Sequence, residues 1–396
     1  MNSIPSYQPD IFDDDAQLDP YGHYQALRDL GPVVWLEPYK MYALPRYAEV
    51  RAALGDPETF CSGRGVAMDD LPEGLPVSTL MSDGALHEHL RSVLTGELTP
   101  RALRPRKAGI QDVADEVVEQ LVRRRSFDGV ADLARALPLA VVPDLVGWPQ
   151  SGREHLLEWA AGAFNLLGPF NERSMASLPA VGAMTEFAIQ TADSGDLLPG
   201  SVGAGMLAAA ARGEIEPGHV PSLLVDYIAP SLDTTISAIG SALWLLGTHP
   251  DQWAALRADR TLIPKAVNEA IRFETPIRSF TRVTTTATEV GGFEIPADAR
   301  VMMMYACANR DERHYERPDE FDITREASDH LGFGYGVHGC AGQGLARLEA
   351  QAVLSALADQ VESFEIGEPV RGINNIIRAL AALPMTVTPA RATADA

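Results

Sequence analysis

Residues 333–342 read FGYGVHGCAG. Gly332, Gly334 and Gly336 come before Cys340, and Gly339 and Gly342 flank it. A helical pattern over 341–361 follows at once. Cys340 therefore stands where a glycine-rich turn runs into a helix N-terminus, whose amide N–H groups and positive dipole end stabilise a thiolate. Glycines also let the backbone approach a flat ligand closely. A thiolate held in this way is a good ligand for iron. A lone cysteine after one glycine would read as a small buried apolar residue. Five glycines at these spacings, with Phe333 and His338 among them, argue for a ligand instead.

Outward from this stretch, apolar residues recur at helical spacing over 109–125, 223–247 and 264–274. Strand-like runs are short and few: 33–36, 41–44, 279–284, 300–305 and 384–389. Long helices with a few short strands predict a mainly α (α+β) architecture with small sheets. No repeat or long linker divides the chain, so one domain over 1–396 is expected, with an ordered core from about 10 to 390.

The composition narrows the function. The chain has 396 residues, 32 basic and 54 acidic, for a net charge of −22. Nucleic acid as a main partner would need a basic face, and a polybasic membrane anchor is equally excluded. The apolar run 237–247 is far short of the ~20 residues a membrane span requires. The N-terminal segment is acidic and polar, unlike a signal peptide. Three cysteines without a CxxC pair suit a reducing compartment. A cytoplasmic enzyme is the expectation.

Phe333, Gly334, His338, Cys340 and Gly342 together resemble the haem-binding loop of the cytochrome P-450 superfamily, the haem-thiolate monooxygenases. The resemblance extends from roughly residue 10 to 390. It implies the P-450 fold, with a long central helix over haem b (iron protoporphyrin IX). It also implies Cys340 as the proximal iron ligand, whose thiolate pushes electron density toward O–O cleavage, and His338 as a propionate contact.

Other motifs fall at matching separations. Glu269 and Arg272 form an ExxR on a helical pattern, 68 residues before Cys340, and i,i+3 spacing lets them pair. They resemble the family's structural Glu–Arg pair. Where the family often adds an arginine, this chain has Glu320, with Arg325 nearby as the candidate substitute. His87 and Arg91, four residues apart, resemble the family's propionate-binding pair, and Arg282 resembles the strand arginine that reaches the other propionate. Arginine suits that role because its fork binds carboxylates in a bidentate manner.

Within the central helix, Asp233 and Thr234 match the family's acid–alcohol pair. Two protons must be delivered for the O–O bond to break; a hydroxyl beside the oxygen and a carboxylate in touch with water can deliver them. Two small residues usual in the family are replaced here by Pro230 and Ser231. Pro230 cannot donate to the carbonyl of Asp226, so a kink is expected. Ser231 adds a hydroxyl near the oxygen site and is expected to alter proton delivery.

The stretches 46–66 and 330–340 resemble bacterial members that oxidise para-substituted benzoates and related aromatics. The places that hold the carboxylate in those members are Gly74, Val77 and Asp226 here. An anion against Asp226 would be repelled. Asp226 lies seven residues before Asp233, so both should share one helix face. A carboxylate there suits a cation or a phenol hydroxyl, and Arg278 is a candidate partner for it. Leu80, Met81, Phe164, Leu167, Ile277 and Phe280 are the expected apolar wall. The expected reaction is insertion of one oxygen atom from O2 into a small aromatic substrate, as hydroxylation or O-demethylation.

Electrons must come from outside, since no GxGxxG fingerprint follows a strand. Arg101, Arg104, Arg106 and Lys107 form a local basic patch fit to steer an acidic ferredoxin-type donor. Two other readings stand beside this one: a peroxide-driven haem-thiolate peroxygenase, against which Asp233–Thr234 argues, and a non-catalytic haem-binding sensor.

Overall fold

The computed structural model describes residues 3–70 and 78–390. Its axis is the helix Val220–Thr248. Pro221 opens this helix, where the missing N–H costs nothing. From Leu223 to Leu246 it is apolar nearly all round, the mark of a helix buried on every side. Around it pack Leu156–Leu167, Glu172–Ser194, Ala136–Val146, the ExxR helix Ile263–Phe273 and the cysteine helix Gln343–Gln360.

The largest sheet has six strands in the order Ser6–Tyr7, Val34–Leu36, Met41–Leu44, Arg300–Met303, Phe280–Thr284, Phe60–Cys61. Its register sets Arg282 opposite Val301. A three-stranded sheet joins Val361–Ile366, Pro384–Pro389 and Ser126–Asp128. Each expected strand run thus forms a strand, and the architecture is mainly α with small sheets. Among the described residues no helix is long and apolar enough to cross a membrane.

The central helix continues through Pro230 without interruption. One local expectation is corrected. The cysteine helix starts at Gln343 rather than Ala341, because Ala341 and Gly342 form a turn.

The ExxR pair is a buried junction. Arg272 donates through Nε and Nη2 to the two oxygens of Glu269, at 2.7 and 2.8 Å, with both side chains fully enclosed. Its Nη1 reaches the carbonyls of Asn309 and Pro318. Arg325 supplies the second guanidinium, 3.2 Å from Glu269 Oε1. The place of Glu320 is explained as well: its backbone carbonyl accepts from Arg325, while its side chain pairs with Arg317 outside.

Candidate active site

The cysteine loop is folded by its glycines. Gly334 and Gly336 have positive φ, +65° and +73°. A Cβ at Gly336 would stand 2.4 Å from the carbonyl oxygen of Leu54, so only glycine fits this approach. The Cys340 N–H donates to Phe333 O at 2.8 Å and closes the loop. Burial pushes the Cys340 thiol up, but the N–H groups of Gly342 and Gln343 and the guanidinium groups of Arg91 and Arg347 favour the thiolate. The amide environment expected from the sequence is therefore present around the sulfur, and two guanidinium groups that the sequence reading did not place there add to it.

Cys340 opens onto a cavity between its loop and the central helix. At the cysteine end stand Phe333, Gly334, Gly342, Arg91, Arg282 and His338. His87 does not line the cavity itself; its ring packs on His338, with centroids 4.1 Å apart. Arg91 donates to Gly339 O, and Arg282 to Thr281 O. His338 faces Asp83 at 3.4 Å, and burial together with Arg282 and His87 lowers its pKa to about 4, so it is neutral at pH 7.

The central helix forms the opposite wall through Asp226, Pro230, Ser231 and Thr234. The hydroxyls of Ser231 and Thr234 donate back to the carbonyls of Tyr227 and Pro230, at 2.6 and 2.7 Å. Both hydroxyls thus rest on their own helix, and each must turn from its carbonyl before it gives a proton to the cavity. Asp233 does not line the cavity; a seven-residue step leaves it about 20° round from Asp226, and the cavity turns off that face further along the helix. The wall follows a four-residue ladder through 226, 230 and 234, and Asp233 sits about 100° round from Thr234. Burial pushes the Asp233 carboxyl up to about 7, with Arg135 opposing the rise.

Leu80, Met81, Phe164, Leu167, Ile277 and Phe280 all line the cavity. Arg278 does not. Its guanidinium is buried and donates to the carbonyls of Gln17, Asn374, Ile376 and Ile377, which pins the N-terminal segment to the 374–377 turn. It is a structural clamp and no partner of Asp226. Gly74 and Val77 lie outside the described residues. Among the cavity residues that the sequence reading missed, Glu349 carries a carboxyl group: on the cysteine helix, it lines the wall with both carboxyl oxygens unpartnered among the described residues, and burial raises its pKa to about 8. The available signal was a lone carboxylate in the stretch GLARLEAQAV, residues 344–353.

This cavity, with a single sulfur ligand facing a long helix, occurs in a known family. The family profile described as "Cytochrome P450" matches residues 206–383. Cytochrome p450 CYP199A2 of Rhodopseudomonas palustris is 41% identical over 393 residues, covering 98% of this chain and 95% of the relative. Cytochrome P450 monooxygenase PikC of Streptomyces venezuelae is 31% identical over 391 residues, covering 94% of this chain and 92% of the relative. Among solved structures, cytochrome P450 CYP109Q5 from Chondromyces apiculatus aligns with a TM-score of 0.82 at 29% identity, over 98% of this chain and 100% of that one. The chain belongs to the cytochrome P450 family, in its bacterial monooxygenase branch, and is an oxidoreductase.

Members of the family bind haem b. The residues present fit that group. The cavity is apolar in the middle and cationic at one end. His87 Nε2 is buried there with no hydrogen-bond partner among the described residues.

Proposed function

We propose that the protein is a haem-thiolate monooxygenase that inserts one oxygen atom from O2 into a small apolar, aromatic substrate, with electrons from a separate ferredoxin-type donor. The observation that carries this reading is the cavity itself: Cys340 at one end, Thr234 on the facing helix, and a largely apolar wall between. Cys340 would ligate the iron, and Arg91, Arg282, His87 and His338 would hold the two propionates. When bound, the haem supplies oxygen activation.

The chain's own residues do the rest. Phe164, Phe280 and Leu80 exclude water and hold an aromatic ring by burial. The Thr234 hydroxyl faces the cavity and can hand on a proton. Asp233 lies one residue away, and its carboxyl, at about 7, can exchange protons near neutral pH.

Electron delivery is proposed at the cysteine side. Arg101, Arg104 and Lys107 are exposed, and Arg106 is partly so. Their neighbour Leu103 packs on the first turn of the cysteine helix, 3.2 Å from where a Cβ of Gly344 would lie. A basic patch beside that helix suits an acidic donor on an otherwise acidic protein. All three cysteines are unpaired, which supports a reducing, cytoplasmic setting. We further propose that residues 1–396 act as one haem-binding domain.

The test is turnover of a small methoxy-aromatic by the purified holoenzyme, in 18O2 with reductase, ferredoxin and NADH, against hydrogen peroxide alone. Label from O2 in the product or in the released aldehyde, dependent on ferredoxin, supports the reading. Equal or faster turnover with peroxide favours the peroxygenase. No turnover in either arm, and no spectral response to small aromatics, favours the sensor.

A further inference from the structure

The charge lining the substrate half of the cavity selects a class of head group. Asp226 sits on the wall, and its Oδ2 accepts from the Thr79 N–H at 2.6 Å. Among the described residues no cation acts on it; burial and Thr79 alone set its carboxyl, raised to about 6. Arg278 is spent on backbone carbonyls. The cavity's two arginines, Arg91 and Arg282, stand at the cysteine end with His338. Around Asp226 the lining is Leu80, Met81, Val225, Ala229 and the hydroxyls of Ser78 and Ser222.

Spacing adds a length. Asp226 precedes Thr234 by eight residues, about 12 Å of helix rise. Subtracting a hydrogen-bond length of about 3 Å at each end leaves about 6 Å. That is the span of one benzene ring carrying para substituents.

We propose that Asp226 is the polar anchor of the substrate, and that the cavity takes single-ring, para-substituted aromatics whose head group donates a hydrogen bond, a phenol hydroxyl or a cationic N–H group, while it rejects aromatic carboxylates. This rests on the cavity being the substrate site of a haem-thiolate enzyme, as proposed above. The head group donates to the free oxygen of Asp226 and directs the para substituent toward Thr234. A carboxylate in the same place meets like charge without a compensating cation, and a buried unpaired charge is costly.

The experiment is an equilibrium spectral titration of the ferric holoenzyme with 4-methoxyphenol, 4-methoxybenzamidinium and 4-methoxybenzoate at pH 7.5. The amidinium and the carboxylate are nearly isosteric, so charge and donor direction are what differ. The expected result is binding of the phenol, the amidinium or both about ten- to a hundredfold tighter than the benzoate, the value of a charge-assisted hydrogen bond. Asp226→Asn should cut the amidinium's advantage about tenfold or more, and Asp226→Ser should bring the benzoate level with the phenol. Which donor wins identifies the head group. Benzoate binding as tightly as both donors in the unmodified protein, or an order unchanged in both variants, overturns the proposal. The ferrous–carbon monoxide spectrum of each sample reports thiolate ligation independently. A sample that lacks the thiolate signature refutes the haem-thiolate reading rather than the anchor.

Discussion

Replacing Arg272 by methionine tests whether the buried junction behind the haem loop is worth what its geometry implies. Arg272 and Glu269 are both 0% exposed, and the guanidinium donates two hydrogen bonds of 2.7 and 2.8 Å to one carboxylate. Two backbone carbonyls, Asn309 and Pro318, also depend on Nη1. Removing one member of a buried pair strands the other and costs about 3–5 kcal/mol. Glu269 would keep Arg325 at 3.2 Å and the Asp322 N–H at 3.1 Å, so the lower half of that range is expected. The loss should reach the loop. The Asn309 side chain donates to Thr275 and accepts the Leu331 N–H at 2.7 Å, two residues before Phe333. The assay is urea unfolding at fixed haem content, followed by far-UV dichroism and by haem absorbance together, because bound cofactor adds to apparent stability. The expected outcome is a loss of about 3 kcal/mol with earlier haem release. Arg325→Met, at the rim, should cost about 1–2 kcal/mol. An Arg272→Met protein within about 1 kcal/mol of the parent, or an Arg325→Met protein that loses as much, would refute the reasoning.

Gly336→Ala places a Cβ 2.4 Å from Leu54 O at a φ of +73°, so the loop must shift; the purified protein should carry less than half of its haem, read from the haem-to-protein absorbance ratio. Charge reversal at Arg104 and Arg106 together should raise the ferredoxin concentration for half-maximal rate about tenfold, with the rate recovered at saturation, and salt should weaken the parent's dependence in the same direction. Asp226, with its carboxyl at about 6, is ionised above that pH and neutral below it, so 4-methoxybenzamidinium affinity should fall as pH drops through 6. Of the other titratable groups on the cavity wall, Glu349 is near 8 and His338 near 4, while burial raises the pKa values of Tyr227, Tyr305 and Cys340; Asp226→Asn should remove the transition at 6 and leave any change near 8 in place.

The parts of this protein that were legible in its sequence are those whose geometry is local. Cys340 and its glycines lie within one turn, and each positive φ is a property of one residue. Glu269 and Arg272 are three residues apart on one helix, so periodicity alone sets them side by side. The apolar wall was legible for another reason: a family resemblance transfers positions, and every apolar residue carried over reaches the cavity. What failed depended on contacts distant in sequence. Arg278 carries a side chain long enough to point either way, and carbonyls nearly 100 residues downstream decide its direction. Asp233 keeps the helix phase of Asp226 to within about 20°, but the cavity drifts along the ladder 226, 230 and 234 and leaves it outside the wall.

Asp226 shows how a correction can sharpen a functional argument. Its position was read from the sequence, but its meaning depended on whether an arginine stood beside it. Paired with Arg278, the site would have been neutral overall and open to either kind of head group. With that arginine turned away and Thr79 the one residue that acts on it among the described residues, the carboxylate keeps acceptor capacity open to a ligand's donor. Burial raises the energy of the ionised form, as the shift to about 6 records, so a donor that restores the lost hydrogen bonds gains more here than it would in water. The same desolvation penalises a second carboxylate twice, once for its own burial and once for its neighbour. On the proposed anchor, selectivity in this pocket follows from a missing cation as much as from the carboxylate itself, and Asp226→Ser, which removes the like charge, should raise benzoate affinity toward that of the phenol, measured by the same titration.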